Sequence, residues 1–439
     1  MIHCFKMDNV NIVIDVHSGA IHVPDDLAYD ILSGASGTEE KYTKEAIAEA
    51  TREIDKLIES GQLYTKSEEA KETAFIADRK PVVKSLCLHI SHDCNLRCAY
   101  CFAADISYGN IAPSYMSLET GKQAVDFLIG SSSGRRNLEI DFFGGEPTLN
   151  FDVVKGIVEY ARSIEDKFGK NFRFTLTTNG LLLDSEKIDY INKEMDNVVL
   201  SLDGRKHIND SMRKCTEIGK SSYEEVLPKF RELTEARRHQ KYYIRGTFTN
   251  KNLDFAADVL HLADLGFEQL SVEPVVAPET APYSIKREHL PAIKAEYEKL
   301  AKAMLKRGFD FNFFHFMLDL TNGPCAAKRI TGCGAGTEYL AVTPEGDLYP
   351  CHQFAGDEDF CLGSLDKGIT NTKWQEQFDK CNIHTKPECE TCFAKYFCSG
   401  GCAANAFHLN KDIMKPDEIG CEMQKKRLEC ALFLLAAKS

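Results

Sequence analysis

The sequence predicts an α/β protein built on a partial (β/α)6 barrel, with a small amino-terminal module before it and a cysteine-rich domain after it. Three observations carry this. Between residue 85 and about residue 276 a buried apolar run alternates six times with an amphipathic helical pattern, the signature of parallel strands joined by crossover helices. Residues 1–75 open instead with short alternating strands. From residue 325 onward cysteines crowd the chain. At 439 residues and 43% hydrophobic, the chain exceeds what one core accommodates, so several domains are expected.

In the opening module, apolar alternation predicts strands over 2–6, 11–15 and 20–23, the last two joined by a turn at His17, Ser18 and Gly19. Helical periodicity follows over 25–32 and 44–60, then a brief strand over 62–64. Residues 67–80 are charged and weakly patterned and read as a linker.

The six barrel strands are expected over 85–90, 138–142, 173–176, 197–201, 244–248 and 269–272, with helices between them such as 118–129, 152–167 and 223–235. Each strand is followed directly by polar or glycine-rich residues: 92–101, Gly144 to Pro147, 177–180, Asp203-Gly204, Thr249-Asn250 and Glu273-Pro274. All therefore fall on one rim, where parallel sheets carry their active sites. A bridging region over 277–324 holds a helix over 286–307 and an aromatic stretch over 311–316. The tail over 325–439 is expected to be poor in regular structure, with metal supplying folding energy.

The formal charge is −13, and the 53 basic residues are scattered among 66 acids, which argues against a nucleic-acid partner. No apolar run of about 18 residues exists, and the opening MIHCFKMDNV has no basic segment leading into an apolar one, so neither a membrane nor a secretory route is expected. A cytoplasmic location follows. Seventeen cysteines, most at short intervals, point to metal in a reducing compartment rather than to disulfides.

The first cysteine constellation is Cys94-x3-Cys98-x2-Cys101, on the loop after the first barrel strand. Three thiolates hold three irons of a four-iron, four-sulfur cluster and leave one iron open for chemistry. Zinc would want a fourth protein ligand, and His92 is the alternative donor. In Gly144-Gly145-Glu146-Pro147, the glycines let the backbone approach a ligand, and Glu146 offers an acceptor to an ammonium group. The second constellation is Cys333-x12-Gly346-x4-Cys351, then Cys389-x2-Cys392-x5-Cys398-x3-Cys402, then Cys421. A zinc ribbon of Cys389, Cys392, Cys398 and Cys402 is the other reading of part of it. The remaining Cys4, Cys87, Cys215, Cys361, Cys381 and Cys430 read as small buried hydrophobes.

The cysteine loop, with the aromatic Tyr100 before its last cysteine and Phe102 after it, resembles the radical S-adenosylmethionine (SAM) superfamily over roughly 85–276. That resemblance implies SAM chelated to the open iron, Gly144, Gly145, Glu146 and Pro147 at its amino group, and Thr178, Asn179, Ser201 and Asp203 at its carboxylate and ribose. Arg213 and Arg245 are lesser candidates for the carboxylate, with which guanidinium pairs well. The tail resembles the SPASM extension, which implies two auxiliary four-iron clusters, three in all. Cys333, Cys351 and Cys402 would hold the nearer one, and Cys389, Cys392, Cys398 and Cys421 the outer one. The nearer cluster lacks a ligand, which Cys325 or a substrate thiol would supply; the two stay open.

Residues 1–75 resemble a winged-helix-like peptide-recognition module that binds leader peptides by strand addition. A DNA-binding relative is disfavoured by the acidity of residues 25–60. The whole order, with MIHCFKM and the stretch Cys351 to Phe354, is similar to the maturases of six-cysteines-in-forty-five-residues (SCIFF) peptides. The implied activity is intramolecular thioether crosslinking of a cysteine-rich precursor peptide carrying a leader, fed by a flavodoxin- or ferredoxin-type electron donor. His352 stands where the resembling sulfatase maturases carry an acid, which favours crosslinking; His352 and Asp203 are the candidate proton acceptors. Formylglycine formation, epimerisation, a carbon–carbon crosslink, or a non-catalytic zinc- or iron–sulfur-structured binding or electron-transfer protein are the competing readings.

Overall fold

The structure is a computed structural model that describes residues 1–103, 113–237, 241–318 and 326–438. In the opening module β1 (Ile2–Met7), β2 (Val10–Asp15) and β3 (Ile21–His22) form an antiparallel sheet in that order. Met7 pairs with Val10 across Asp8 and Asn9, whose φ of 50° and 65° are what a two-residue hairpin turn demands. The helices Asp26–Ser33 and Lys44–Glu59 begin at caps: the side chains of Asp25 and Thr43 accept from Ala28 N and Ala46 N.

Two expectations for this module fail. No strand forms over 62–64, because Tyr64 takes a left-handed φ of 50° and Thr65 N turns back to donate to Asp15 Oδ2 at 3.0 Å. The supposed linker contains a helix, Glu69–Ala77. It is made of strong helix formers without apolar periodicity, so periodicity missed it. The module rests against the cysteine-rich tail. The His3 ring stacks on Phe393 with centroids 3.5 Å apart and also meets Glu429 at 3.0 Å, while Val16 packs with Ile330, Ile383 and Cys389.

Among the described residues the main sheet has eleven strands. Its parallel run is β4 (Ser85–Ser91), β6 (Asn137–Gly144), β7 (Asn171–Thr178), β8 (Asn197–Ser201), β10 (Lys241–Phe248), β11 (Gln269–Pro274) and β12 (Asn312–Phe313). Each pairs with the next in chain order. The intervening β5 (Leu96–Cys98) and β9 (Arg213–Cys215) form a separate antiparallel ribbon. The six expected strands are all present, and β12 in the aromatic stretch adds a seventh.

One face of this sheet is apolar and covered by helices. Leu138, Ile140 and Phe142 of β6, Phe172, Phe174 and Leu176 of β7, and Ile244 and Phe248 of β10 are buried under helices that include Leu118–Ser131, Phe151–Phe168 and Ser222–Arg237. Alternate residues on the other face, such as Asp141, Thr175, Thr177, Ser201 and Arg245, are polar and only half-buried or exposed. Parallel strands ordinarily bury both faces. A polar, incompletely covered face on consecutive strands is what a barrel with a working interior requires.

The tail is more regular than its composition predicts. β13 (Tyr339–Val342) pairs in parallel with β4 on the far side of the run, and β14 (Asp347–Tyr349), β15 (Gly363–Ser364) and β16 (Gly368–Ile369) continue the sheet. A 19-residue helix, Glu418–Ala436, closes the chain and packs on Leu290–Lys306, with Arg427 Nε donating to Tyr297 Oη at 2.9 Å. Apart from Glu429, its carboxyl-terminal half is apolar all round, so it carries no amphipathic signal. Among the described residues no helix is long and apolar enough to cross a membrane.

Candidate functional site

The cysteine loop leaves β4 and is held from outside. Leu96, Arg97 and Cys98 pair with Cys215, Lys214 and Arg213, and Ala99 N donates to Met212 O at 2.8 Å. Behind the loop, the Tyr100 hydroxyl donates to both oxygens of Asp203, at 2.8 and 2.6 Å. Arg213 Nε donates to Asp203 Oδ1 at 3.0 Å, as does Thr247 N at 2.9 Å. Asp203 is fully buried. Burial pulls the Arg213 guanidinium down, but Asp203, Tyr100 and Cys98 outweigh it and hold its pKa above the ordinary value.

The loop thiols crowd one another. Burial, then Glu146, pushes the Cys94 thiol up to about 12, and Cys98 and Cys101 add to it. Cys98 is pushed to about 11 by burial, with Arg213 pulling down and Cys101 pushing up. Leu96 N and Asn179 Nδ2 both point at Cys94 Sγ, at 3.4 and 3.6 Å. Three neighbouring thiols, with those of Cys94 and Cys98 raised and donors aimed at the Cys94 sulfur, suit a cationic group that would take them as thiolates. His92, the alternative donor, lies 3.1 Å from His89 Nδ1.

At the end of β6 the glycines serve the protein's own backbone. Gly145 N donates to Ser91 O at 2.7 Å and Glu146 N to Asp93 O at 2.9 Å. A Cβ on Gly144 would sit 2.4 Å from Ser91 O, and one on Gly145 2.1 Å from Asp93 O. The close approach expected toward a ligand is thus made to the base of the cysteine loop. Glu146, also buried, ties the rim together: its Oε1 accepts from Thr178 Oγ1 at 2.7 Å and from Thr148, and its Oε2 accepts from Asn179 N at 2.7 Å. Pro147 begins a short 3-10 turn after it. Ser201 sits at the end of β8, in register with Arg245.

His352 belongs to this rim although it lies in the tail. Its ring faces Phe102, just past Cys101, with centroids 5.7 Å apart, and Phe143 at 5.0 Å. Tyr339 Oη lies 3.0 Å from its Nδ1. Burial, reinforced by Arg245, pushes its pKa down to about 4, so the imidazole is neutral near pH 7.

The tail thiols fall into two sets. Burial raises the Cys351 thiol, and Cys402 and Cys333 raise it further. Cys421 is pushed to about 12 by burial and then by Cys398, Cys392 and Cys389. Cys325 lies outside the described residues. Among the described residues no group of three or more His, Cys, Asp or Glu is arranged to hold a single metal ion. Sequence reasoning missed Lys386. This buried lysine donates to Gly400 O at 2.8 Å and draws down the thiols of Cys389 and Cys398 in one set and Cys402 in the other. A lone lysine before a proline carries no signal of that position.

Residues 88–263 match the model of the radical SAM superfamily. An uncharacterised protein of Methanocaldococcus jannaschii is 30% identical over 286 residues, which cover 64% of this chain and 89% of that protein. The chain belongs to the radical SAM superfamily. A further relative is the cysteine-type anaerobic sulfatase-maturating enzyme of Clostridium novyi, 24% identical over 368 residues that cover 79% of this chain and 95% of that one. Among solved structures, SuiB of Streptococcus suis bound to its precursor peptide SuiA matches the fold with a TM-score of 0.56 at 17% identity, covering 95% of this chain and 98% of that chain. A radical SAM fold implies SAM and a four-iron, four-sulfur cluster, and the three crowded thiols of the loop suit such a cluster. Membership and the maturase relatives make this radical SAM protein an enzyme related to peptide and protein maturases.

Proposed function

We propose that this radical SAM enzyme installs intramolecular thioether crosslinks from cysteine in a ribosomally made, cysteine-rich peptide of the SCIFF type. Cys94, Cys98 and Cys101 would hold the SAM-binding cluster, Cys333, Cys351 and Cys402 a nearer auxiliary cluster, and Cys389, Cys392, Cys398 and Cys421 an outer one. The observation that carries the reading is the contact of His352, next to Cys351, with Phe102, next to Cys101, because it supports a tail cluster at Cys351 close to the rim where SAM would lie. When bound, SAM and its reduced cluster supply a 5′-deoxyadenosyl radical, and the auxiliary clusters supply an electron acceptor. The net reaction takes a hydrogen atom from a substrate carbon, takes a proton and an electron from a substrate thiol, and joins carbon to sulfur.

The chain's own part is to bind and orient. Glu146 Oε2 accepts one described hydrogen bond and keeps room for the SAM ammonium. Thr178, Asn179, Ser201 and Arg213 would line the remaining SAM contacts. His352 is neutral and its Nδ1 meets Tyr339 Oη, and in the tautomer whose Nδ1–H donates to Tyr339 the other ring nitrogen would take the thiol proton. Asp203, saturated by Tyr100, Arg213 and Thr247, acts by holding the loop. Residues 1–75 would bind the leader, with β3 an outer strand of its sheet open to strand addition. Reduction would come from a flavodoxin- or ferredoxin-type donor. The match to a SuiB structure that holds a precursor peptide supports a peptide partner.

The Clostridium novyi relative favours formylglycine formation as the second reading. Mass spectrometry separates the two. The enzyme, reduced with dithionite and given SAM and a leader-bearing cysteine-rich peptide, should yield 5′-deoxyadenosine and a peptide lighter by two hydrogens per ring that resists thiol reduction. An aldehyde at cysteine would replace the proposal with formylglycine formation, and an unchanged peptide would remove the substrate class.

A further inference from the structure

Between the end of β11 and the closing helix lies a cavity of about 700 Å³. Its lining includes Glu273 and Arg427, with Cys402 of the nearer thiol set and Cys398 and Cys421 of the outer set on the same wall. Arg427 is only 7% exposed. Two of its nitrogens are engaged: Nε donates to Tyr297 Oη at 2.9 Å and Nη1 to Gln424 Oε1 at 3.4 Å. Its Nη2 is buried and makes no hydrogen bond, standing 3.9 Å from Glu273 Oε2, too far for one.

The surroundings do not repair this. Glu273 Oε1 is also approached by His315 Nε2 at 3.3 Å and Arg245 Nη2 at 3.8 Å, so one carboxylate faces two guanidiniums. His315 Nε2 and His408 Nε2, the latter on a residue that lines the cavity, are likewise buried without a hydrogen-bond partner. A buried guanidinium donor left open is costly. The cavity's lining also carries Glu279, Asp417 and Glu418, so what asks for an oxygen acceptor from outside the chain is the single unpaired guanidinium nitrogen of Arg427 rather than a general excess of positive charge.

We propose that Arg427 anchors the substrate by donating from its unpaired Nη2 to a peptide oxygen, either a side-chain carboxylate or a backbone carbonyl, which lays the bound segment along the wall that carries Cys402. The proposal rests on the peptide-modifying reading above. It makes Arg427 a positioning residue: it holds the peptide and touches no reacting atom. Charge-assisted hydrogen bonds of this kind are the stronger class, and guanidinium suits planar oxygen acceptors.

The test uses the anaerobically reconstituted full-length enzyme and two fluorescein-labelled pentapeptides, Gly-Asp-Cys-Asp-Gly and Gly-Asn-Cys-Asn-Gly, with anisotropy as the readout and SAM cleavage measured in parallel. Arg427→Gln should weaken binding about tenfold or more. If only the aspartate peptide weakens, the acceptor is a carboxylate, and Arg427→Lys should restore part of its affinity; if both weaken, it is a backbone carbonyl. Because Arg427 also packs on Tyr297, Gln424→Glu serves as the second variant. It leaves Arg427 in place, sets a competing carboxylate against it, and should weaken binding by a similar factor. Wild-type enzyme that binds neither peptide, or variants that bind both as wild type does, would overturn the proposal. A preparation that cleaves SAM but binds no peptide overturns the anchor and leaves the radical SAM assignment standing, whereas loss of SAM cleavage in the wild type strikes the function itself.

Discussion

The Tyr100 hydroxyl donates to Asp203 at 2.6 Å, joining the cysteine loop after β4 to the end of β8. Arg213 on β9 and Thr247 on β10 donate to the same carboxylate, so one buried aspartate ties four segments together around the three thiols. Asp203→Asn leaves the Arg213 charge buried and unpaired, a loss of about 3–5 kcal/mol. The variant should retain clearly less iron at the loop, read by iron content and the SAM-perturbed electron paramagnetic resonance signal. Tyr100→Phe should cost about 1–2 kcal/mol and show the same defect more weakly.

The approach of Gly145 to Asp93 O gives a sharper contrast. Gly145→Ala sets a Cβ 2.1 Å from a carbonyl that cannot move without shifting the cysteine loop, so SAM cleavage should fall by orders of magnitude. Gly169→Ala, at a helix end with φ 62° and open space around it, should cost only about 1 kcal/mol and leave cleavage unchanged. Comparison of melting temperature and 5′-deoxyadenosine yield for the two checks this.

His315 predicts a pH dependence. Burial, then Arg427, pushes its pKa from 6.5 to about 3, with Glu273 pulling the other way. The unfolded chain then binds more protons than the folded one below pH 6.5, so stability is lost as pH falls through the window from 6.5 toward 3. Between pH 7 and 5.5 the wild type should lose about 1.3 kcal/mol more than His315→Gln. Anaerobic urea unfolding at the two pH values measures the difference.

Burial raises the thiols of Cys389 and Cys402, and Lys386, close to both, offsets part of that rise. Lys386→Met removes a positive charge beside the proposed auxiliary clusters, so their midpoint potentials should become more negative, on the order of 100 mV for a charge a few ångströms away at an effective dielectric of about 20. Potentiometric titration reads the shift, and an unchanged potential would place the lysine in a packing role.

The six parallel strands were legible because each alternates apolar and polar residues or runs apolar throughout, and the rim because every motif follows a strand end. The cysteine spacings from which three thiol sets are proposed were likewise legible. What escaped depends on partners distant in sequence. β13 is a run of four residues that becomes a strand only beside β4, the helix Glu418–Ala436 is apolar on too many sides to show a period, and the bend at Tyr64 is set by Asp15, fifty residues earlier. The same holds in the site. Spacing brings forward Asp203 and Glu146, but only the fold shows that the first is saturated by Tyr100, Arg213 and Thr247 and that the second is shared with Thr178 and Asn179.

The central claim is that three thiol sets hold three four-iron clusters. It is tested most directly by counting iron in the anaerobically reconstituted enzyme and in a variant with Cys389, Cys392, Cys398 and Cys421 replaced by alanine. The account predicts about twelve irons per chain in the wild type and about eight in the variant, with the loop cluster still cleaving SAM. Zinc in place of iron, or a wild-type count of about four irons that the variant leaves unchanged, would contradict it.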